Sequence, residues 1–131
     1  QITSGANCIA QRATIAALDA PVSKIKYMVD EFKNRRELII GLLEKINGFK
    51  INKPEGAFYI FPDISSYFGK IIHGKKINNA TDFSLFLLEN AHVATVSGNA
   101  FGDPNCIRIS YAASKEQIKK ACSRIKDSLQ Y

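Results

Sequence analysis

Tryptophan is absent from these 131 residues, methionine occurs once and cysteine only three times. The cysteines (Cys8, Cys106 and Cys122) make an odd number without CxxC spacing, which argues against a disulfide scaffold or a zinc site and fits a reducing cytosol. Cys122 falls at an apolar helix position and Cys106 enters an expected strand, so both read as small core residues. No histidine can be named as partner for a catalytic thiol. His73 and His92 are isolated from each other and read as structural or solvent-exposed. No apolar run approaches the roughly 18 to 20 residues that cross a bilayer, so the expectation is a soluble, cytoplasmic protein with no membrane partner. The chain begins at Gln1 and shows no charged-then-apolar signal segment, and we expect an excerpt of a longer protein.

What is present is enough for one real core: 46% of residues are hydrophobic. The net charge is +6 with a pI near 9.3, which raises nucleic acid as a partner. The lysines are scattered, however. Their densest group (Lys70, Lys75, Lys76) lies in one polar loop without an aromatic platform, so a solvated basic surface, or a site for an anionic substrate, is the simpler reading.

Residues 6–20 are alanine-rich and predict a helix that lets a neighbour approach closely. After Pro21, the apolar positions Val22, Ile25, Val29, Phe32, Ile39, Leu43 and Ile46 follow helical steps, with Arg36 in one expected slot. They predict a long amphipathic helix stopped at Asn47-Gly48. The segments 49–52 and 57–61, separated by Lys53-Pro54-Glu55-Gly56, read as the strands of a hairpin. The second, apolar on both faces, reads as central and covered on both sides. Residues 62–79 read as a long polar loop. A helix capped by Asn79 or Thr81 is expected through about Asn90, followed by a short strand at 93–96 and a turn-rich link at 97–105. Residues 106–111 alternate cleanly, with Ile107, Ile109 and Tyr111 on one face and Cys106, Arg108 and Ser110 on the other. Ser114 and Gln117 form a capping-box pattern opening a last amphipathic helix. The order predicts an α+β fold, a small and mostly antiparallel sheet packed with helices, with a long helix on its N-terminal side.

One residue stands out chemically. Arg108 sits mid-strand between two isoleucines, where a guanidinium cannot shed its charge and is best met by a bidentate carboxylate. On the local pattern alone, a structural salt bridge within the domain or a strand face open to solvent is the simpler account. Gly98 and Gly102 read as turn glycines, since no GxGxxG or GK[ST] context surrounds them.

The segments P-E-G-A-F-Y-I-F, V-S-G-N-A-F-G and I-R-I-S-Y-A occur in this order before the terminal helix. Together with the long helix ending F-K-N-R-R-E-L-I, they resemble the C-terminal domain of class I aminotransferases, the aspartate aminotransferase family of the vitamin-B6 fold group. The first residues, Q-I-T-S-G-A-N-C-I-A-Q-R-A-T-I-A-A-L, resemble the stretch that follows the cofactor lysine, and the likeness covers essentially the whole chain. Ser97 departs from the proline frequent in the family at that turn.

The resemblance implies that Arg108 binds the substrate α-carboxylate and that Phe58 or Tyr59 walls the pocket, with Gly56 permitting a tight approach before their strand. It implies pyridoxal phosphate as cofactor, amino acid and 2-oxo acid substrates and a homodimeric parent. It assigns no catalytic and no cofactor-binding residue to this chain, because none of its lysines has the family's S-K-x-x-x-x-x-G-W-R-type context. Residues 1–20 are then a remnant of a large domain and 21–131 the C-terminal small domain, the latter expected from about residue 22 to fold alone. Three other readings remain: a lyase or synthase of the same cofactor group, a stand-alone basic module for nucleic acid or protein, and a non-catalytic carboxylate-binding domain.

Overall fold

The computed structural model describes residues 4–130. The chain divides into two compact units, residues 1–31 and 32–131, the division falling inside the second helix. In the first unit, α1 (Cys8–Leu18) is capped by Asn7, whose side chain accepts from the Ala10 N–H at 2.8 Å. No residue of α1 is buried, and Ile9 and Leu18 are about four-fifths exposed (79% and 80%). Pro21 precedes a 3-10 turn at Val22–Ile25, and α2 (Lys26–Leu43) follows directly. The expected single helix from Val22 to Ile46 is therefore a 3-10 turn plus an α-helix that ends at Leu43. Ile46 is buried from the turn beyond it.

The second unit holds the core, in which Ile39 and Leu43 of α2 meet buried side chains from the sheet and from α3 (Ala80–Phe86) and α4 (Lys115–Ser128). The sheet has the order β1 (Tyr59–Ile60), β5 (Ile107–Ser110), β4 (Val96–Ser97), and both pairings are antiparallel. This is the α+β architecture the sequence predicts, with two corrections. The expected hairpin between 49–52 and 57–61 does not form a ladder. Instead Lys50 makes an isolated bridge with Asp63, and β1 pairs with β5. The centre of the sheet is β5, not the segment 57–61, and its alternation places Ile107, Ile109 and Tyr111 in the core.

Residues 62–79 are also more than a polar loop. They contain β2 (Ile71–Ile72) and β3 (Lys75–Lys76), joined through His73 and Gly74 at φ 47° and 77°. Positive φ at both central residues is the two-residue hairpin turn whose twist matches paired strands. This segment buries Ile64, Tyr67, Ile72 and Ile77. The strand expected at 93–96 begins only at Val96. Asn79 caps α3 by accepting from Asp82 N–H at 2.9 Å, and a π-helical turn (Leu87–Ala91) continues it to a left-handed His92. Ser114 caps α4 through the Gln117 N–H, and α4 packs Ile118, Cys122 and Ile125 inward.

Candidate functional site

Arg108 occupies β5, the middle strand, opposite Val96 of β4. Its side chain is half-buried. The guanidinium carbon lies 4.3 Å from the centroid of the Tyr59 ring and 4.0 Å from that of Phe101. These are stacking distances for a cation over aromatic faces. Among the described residues, no carboxylate or carbonyl forms a hydrogen bond or ion pair with the guanidinium, so its N–H edge is uncommitted. The alternative of a salt bridge within the domain does not describe this side chain.

Local sequence explains how the rings arrive there. Tyr59 stands on β1, paired with Ser110 of β5. Phe58 stacks obliquely on Tyr59 (4.4 Å between centroids) and faces Phe32 of α2 at 6.1 Å; it is 40% exposed. Tyr59 thus lies against the arginine and Phe58 one ring further out. The approach to β1 is pinned from α2. Arg36 donates to the Pro54 carbonyl at 2.9 Å, and Glu37 accepts from both Arg36 and Lys53. Hydrogen bonding from Lys53, then from Arg36, holds the Glu37 carboxyl below its ordinary value. Gly56 does not supply a close approach in this structure, since a Cβ there would meet nothing within 4 Å. The left-handed conformation falls instead on Ala57, at φ 59°.

Phe101 reaches Arg108 from the turn after β4, a 3-10 segment (Gly98–Phe101) ended by Gly102 at φ 85°. Gly98 is indispensable to that path. A Cβ on it would sit 2.1 Å from the Asp103 carbonyl oxygen and 2.4 Å from that of Cys106, and its N–H donates to the latter at 2.8 Å. The two glycines are turn glycines, as expected. Cys106, on the face of β5 that carries Arg108, is buried and donates to an Asp103 carboxylate oxygen at 3.3 Å. Burial, reinforced by that carboxylate, pushes its thiol up to about 12, which leaves it no nucleophilic character near neutrality.

A half-buried guanidinium with an open N–H edge has the donor geometry that a planar carboxylate matches. The aminotransferase class I and II family matches residues 3–125 of this sequence. This chain belongs to that family. It is 46% identical over 133 residues to the bifunctional aspartate aminotransferase and glutamate/aspartate-prephenate aminotransferase of Petunia hybrida, covering 98% of this chain and 28% of that protein. It is 44% identical over 126 residues to an aspartate aminotransferase of Rhizobium meliloti (strain 1021), covering 95% and 31%. Among solved structures, the aspartate aminotransferase from Rhizobium meliloti superposes with a TM-score of 0.91 at 41% identity, covering 97% of this chain and 32% of that one. The alanine aminotransferase from Pyrococcus furiosus superposes with a TM-score of 0.81 at 34% identity, covering 92% and 29%. The chain thus spans less than a third of the length of these relatives.

The sequence singled out Arg108, Phe58 and Tyr59, and the structure brings all three to one cluster. It missed Phe101. The signal was present in V-S-G-N-A-F-G, where an aromatic sits between two turn glycines just upstream of the arginine strand. Among the described residues no group of His, Cys, Asp and Glu could hold a metal ion, and no helix is long and apolar enough to cross a membrane.

Proposed function

We propose that this chain is the substrate-clamping, C-terminal part of a pyridoxal-phosphate-dependent aminotransferase that moves an amino group between an amino acid, aspartate or a close relative, and a 2-oxo acid. In this reading residues 1–20 end the large domain, residues 21–131 form the small domain, and the whole enzyme is a cytoplasmic homodimer. The observation that carries it is the uncommitted N–H edge of Arg108 between Tyr59 and Phe101. The names of the relatives support the substrate class, since they are aspartate and aspartate/prephenate aminotransferases.

The role of Arg108 is binding and orientation. Two parallel N–H donors of a rigid fork grip both oxygens of an α-carboxylate and fix the direction of the bonds at Cα. The Tyr59 and Phe58 rings wall one side and keep water from the pair, which strengthens it. The cofactor does not fit residues of this chain. A lysine that forms a Schiff base needs a desolvated or cation-flanked site. Here every lysine but the half-buried Lys115 is exposed. In this reading the cofactor's lysine, the partner of its ring nitrogen and its phosphate cradle belong to the rest of the enzyme, and this chain alone is expected to be inactive.

The test uses the enzyme carrying this sequence with Arg108→Leu. Two charge-assisted bonds of about 1.5–3 kcal/mol each predict a fall in kcat/KM for α-amino acids of roughly two to four orders of magnitude, with cofactor absorbance retained. Arg108→Lys should restore little, because it supplies charge without the fork. Unchanged kinetics in Arg108→Leu would remove the arginine from the mechanism.

A further inference from the structure

We infer that Phe101 is a positioning residue for carboxylate recognition: with Tyr59 it clamps the Arg108 guanidinium in one plane, so that only its N–H edge is presented to a ligand. The inference rests on the reading of Arg108 as the carboxylate anchor and adds the element that orients it.

The two rings reach Arg108 from the two flanks of β5. Tyr59 comes from β1 on one side, and Phe101 from the turn that follows β4 on the other. With centroids 4.0 and 4.3 Å from the guanidinium carbon, both rings lie within cation–π range, yet they make no ring contact with each other. Each therefore covers its own side of the cation. The faces of a guanidinium are weakly hydrated and stack readily, whereas its edge carries all five N–H donors. Covering the faces removes little hydration and leaves the donors free. It also freezes a long side chain whose rotamer freedom would otherwise have to be lost when a carboxylate binds.

Phe101 contributes little to the core of this unit. It is 45% exposed, and its other aromatic contact is edge-on to Phe61 at 6.3 Å. The turn that presents it is nonetheless tightly specified. Gly98 admits no Cβ against the Asp103 and Cys106 carbonyls, and the left-handed Gly102 closes the turn by donating to Gly98. A turn built with that precision, carrying an exposed ring whose closest measured contact is the arginine, reads as a support for the arginine.

The experiment compares Phe101→Met, Phe101→Tyr, Arg108→Leu and the Phe101→Met/Arg108→Leu double variant in the enzyme carrying this sequence, with melting temperatures measured alongside. Phe101→Met keeps volume and removes the ring at a half-exposed position. It should raise KM for both the amino acid and the 2-oxo acid about tenfold, the scale of a partly desolvated cation–π contact, while kcat changes less than about twofold. Phe101→Tyr should restore KM. In the double variant the Phe101 substitution should have no further effect, because its target is gone. The inference is overturned if Phe101→Met leaves KM unchanged in a background where Arg108→Leu is crippling, or if the two losses multiply. If Arg108→Leu itself is silent, the anchor reading fails, and the positioning role fails with it. An independent readout uses the 131-residue chain: in Phe101→Met the Arg108 Nε–H resonance should move as the Phe101 part of its ring-current shift disappears, the Tyr59 part remaining, and an unmoved resonance would also sink the clamp.

Discussion

The Tyr111 hydroxyl donates to the Ala57 carbonyl at 3.0 Å, bridging 54 positions of the chain and tying the end of β5 to the turn that enters β1. The Tyr111 N–H adds a second tie by donating to the Phe58 carbonyl at 2.9 Å. Ala57 is held at φ 59°, where a Cβ is crowded, so this turn has to be fixed from outside. Burial raises the Tyr111 hydroxyl above its ordinary value, and the neutral phenol is the form that donates. Tyr111→Phe keeps the ring and strands the Ala57 carbonyl. We expect a loss of about 1–3 kcal/mol in the unfolding free energy of the 131-residue chain, read from urea midpoints. Because β1 carries Tyr59, the same variant in the enzyme should also raise KM. No loss of stability would mean that water replaces the phenol without cost.

Gly98→Ala is the severest single-methyl change expected in this unit. The new Cβ would collide with two backbone oxygens, at 2.1 and 2.4 Å, and backbone cannot swing aside as a side-chain end does. Overpacking in a well-packed core costs about 1–3 kcal/mol, and this position should reach or exceed the upper end. A thermal melt within a degree or two of the parent would show that the turn shifts freely, which would in turn weaken the case for a rigidly presented Phe101. Gly56→Ala is the control. Its Cβ meets nothing within 4 Å, and it should be close to neutral.

The contrast between those glycines shows what was legible in the sequence. Alternation along 106–111 and the Ser114–Gln117 cap fixed β5 and α4, because period and capping are local signals. Arg108 was visible for the same reason: a charge between two isoleucines violates the strand's own pattern. Gly56 looked like the approach glycine beside Tyr59, but the left-handed residue is Ala57, and no local propensity favours alanine there. Phe101 stood in view between two turn glycines, but its partner was not legible, because that is chosen by how Gly98 packs on Asp103 and Cys106, a contact with no periodicity. The segment 62–79 misled through composition. Its charged and turn residues face water, while Ile72 and Ile77 enter the core from a hairpin signalled only by the His73-Gly74 pair. A ladder of two residues is too short for alternation to announce it.

The three thiols should separate by burial. Cys8 is exposed, whereas Cys106 and Cys122 are buried. Burial, with Asp103 beside it, pushes Cys106 up to about 12, and burial alone pushes Cys122 up to about 11. At pH 8 their thiolate fractions are about one in ten thousand and one in a thousand, and the thiolate is the reactive form. Iodoacetamide should modify one thiol per chain quickly at pH 8, at Cys8, and the other two only when denaturant is added. Rapid labelling of Cys106 without denaturant would show that the turn around Gly98 opens readily.

Asp63 should make part of the stability acid-sensitive. One carboxylate oxygen accepts from the Ser65 N–H at 2.7 Å and the other lies 3.4 Å from the Lys50 ammonium. Hydrogen bonding from Ser65, with Lys50 assisting and burial opposing, holds the carboxyl below its ordinary value. A carboxyl whose folded value is lowered contributes stability above its unfolded value and loses it as pH falls through the folded one. The contribution should therefore be intact at pH 7 and fade below about pH 4. Asp63→Asn keeps an acceptor for Ser65 and removes the charge, so it should cost about 1 kcal/mol at pH 7 and progressively less toward pH 2. Urea unfolding of both forms between pH 2 and 7 measures this directly. Two parallel curves, offset equally at every pH, would assign the loss to packing instead of charge.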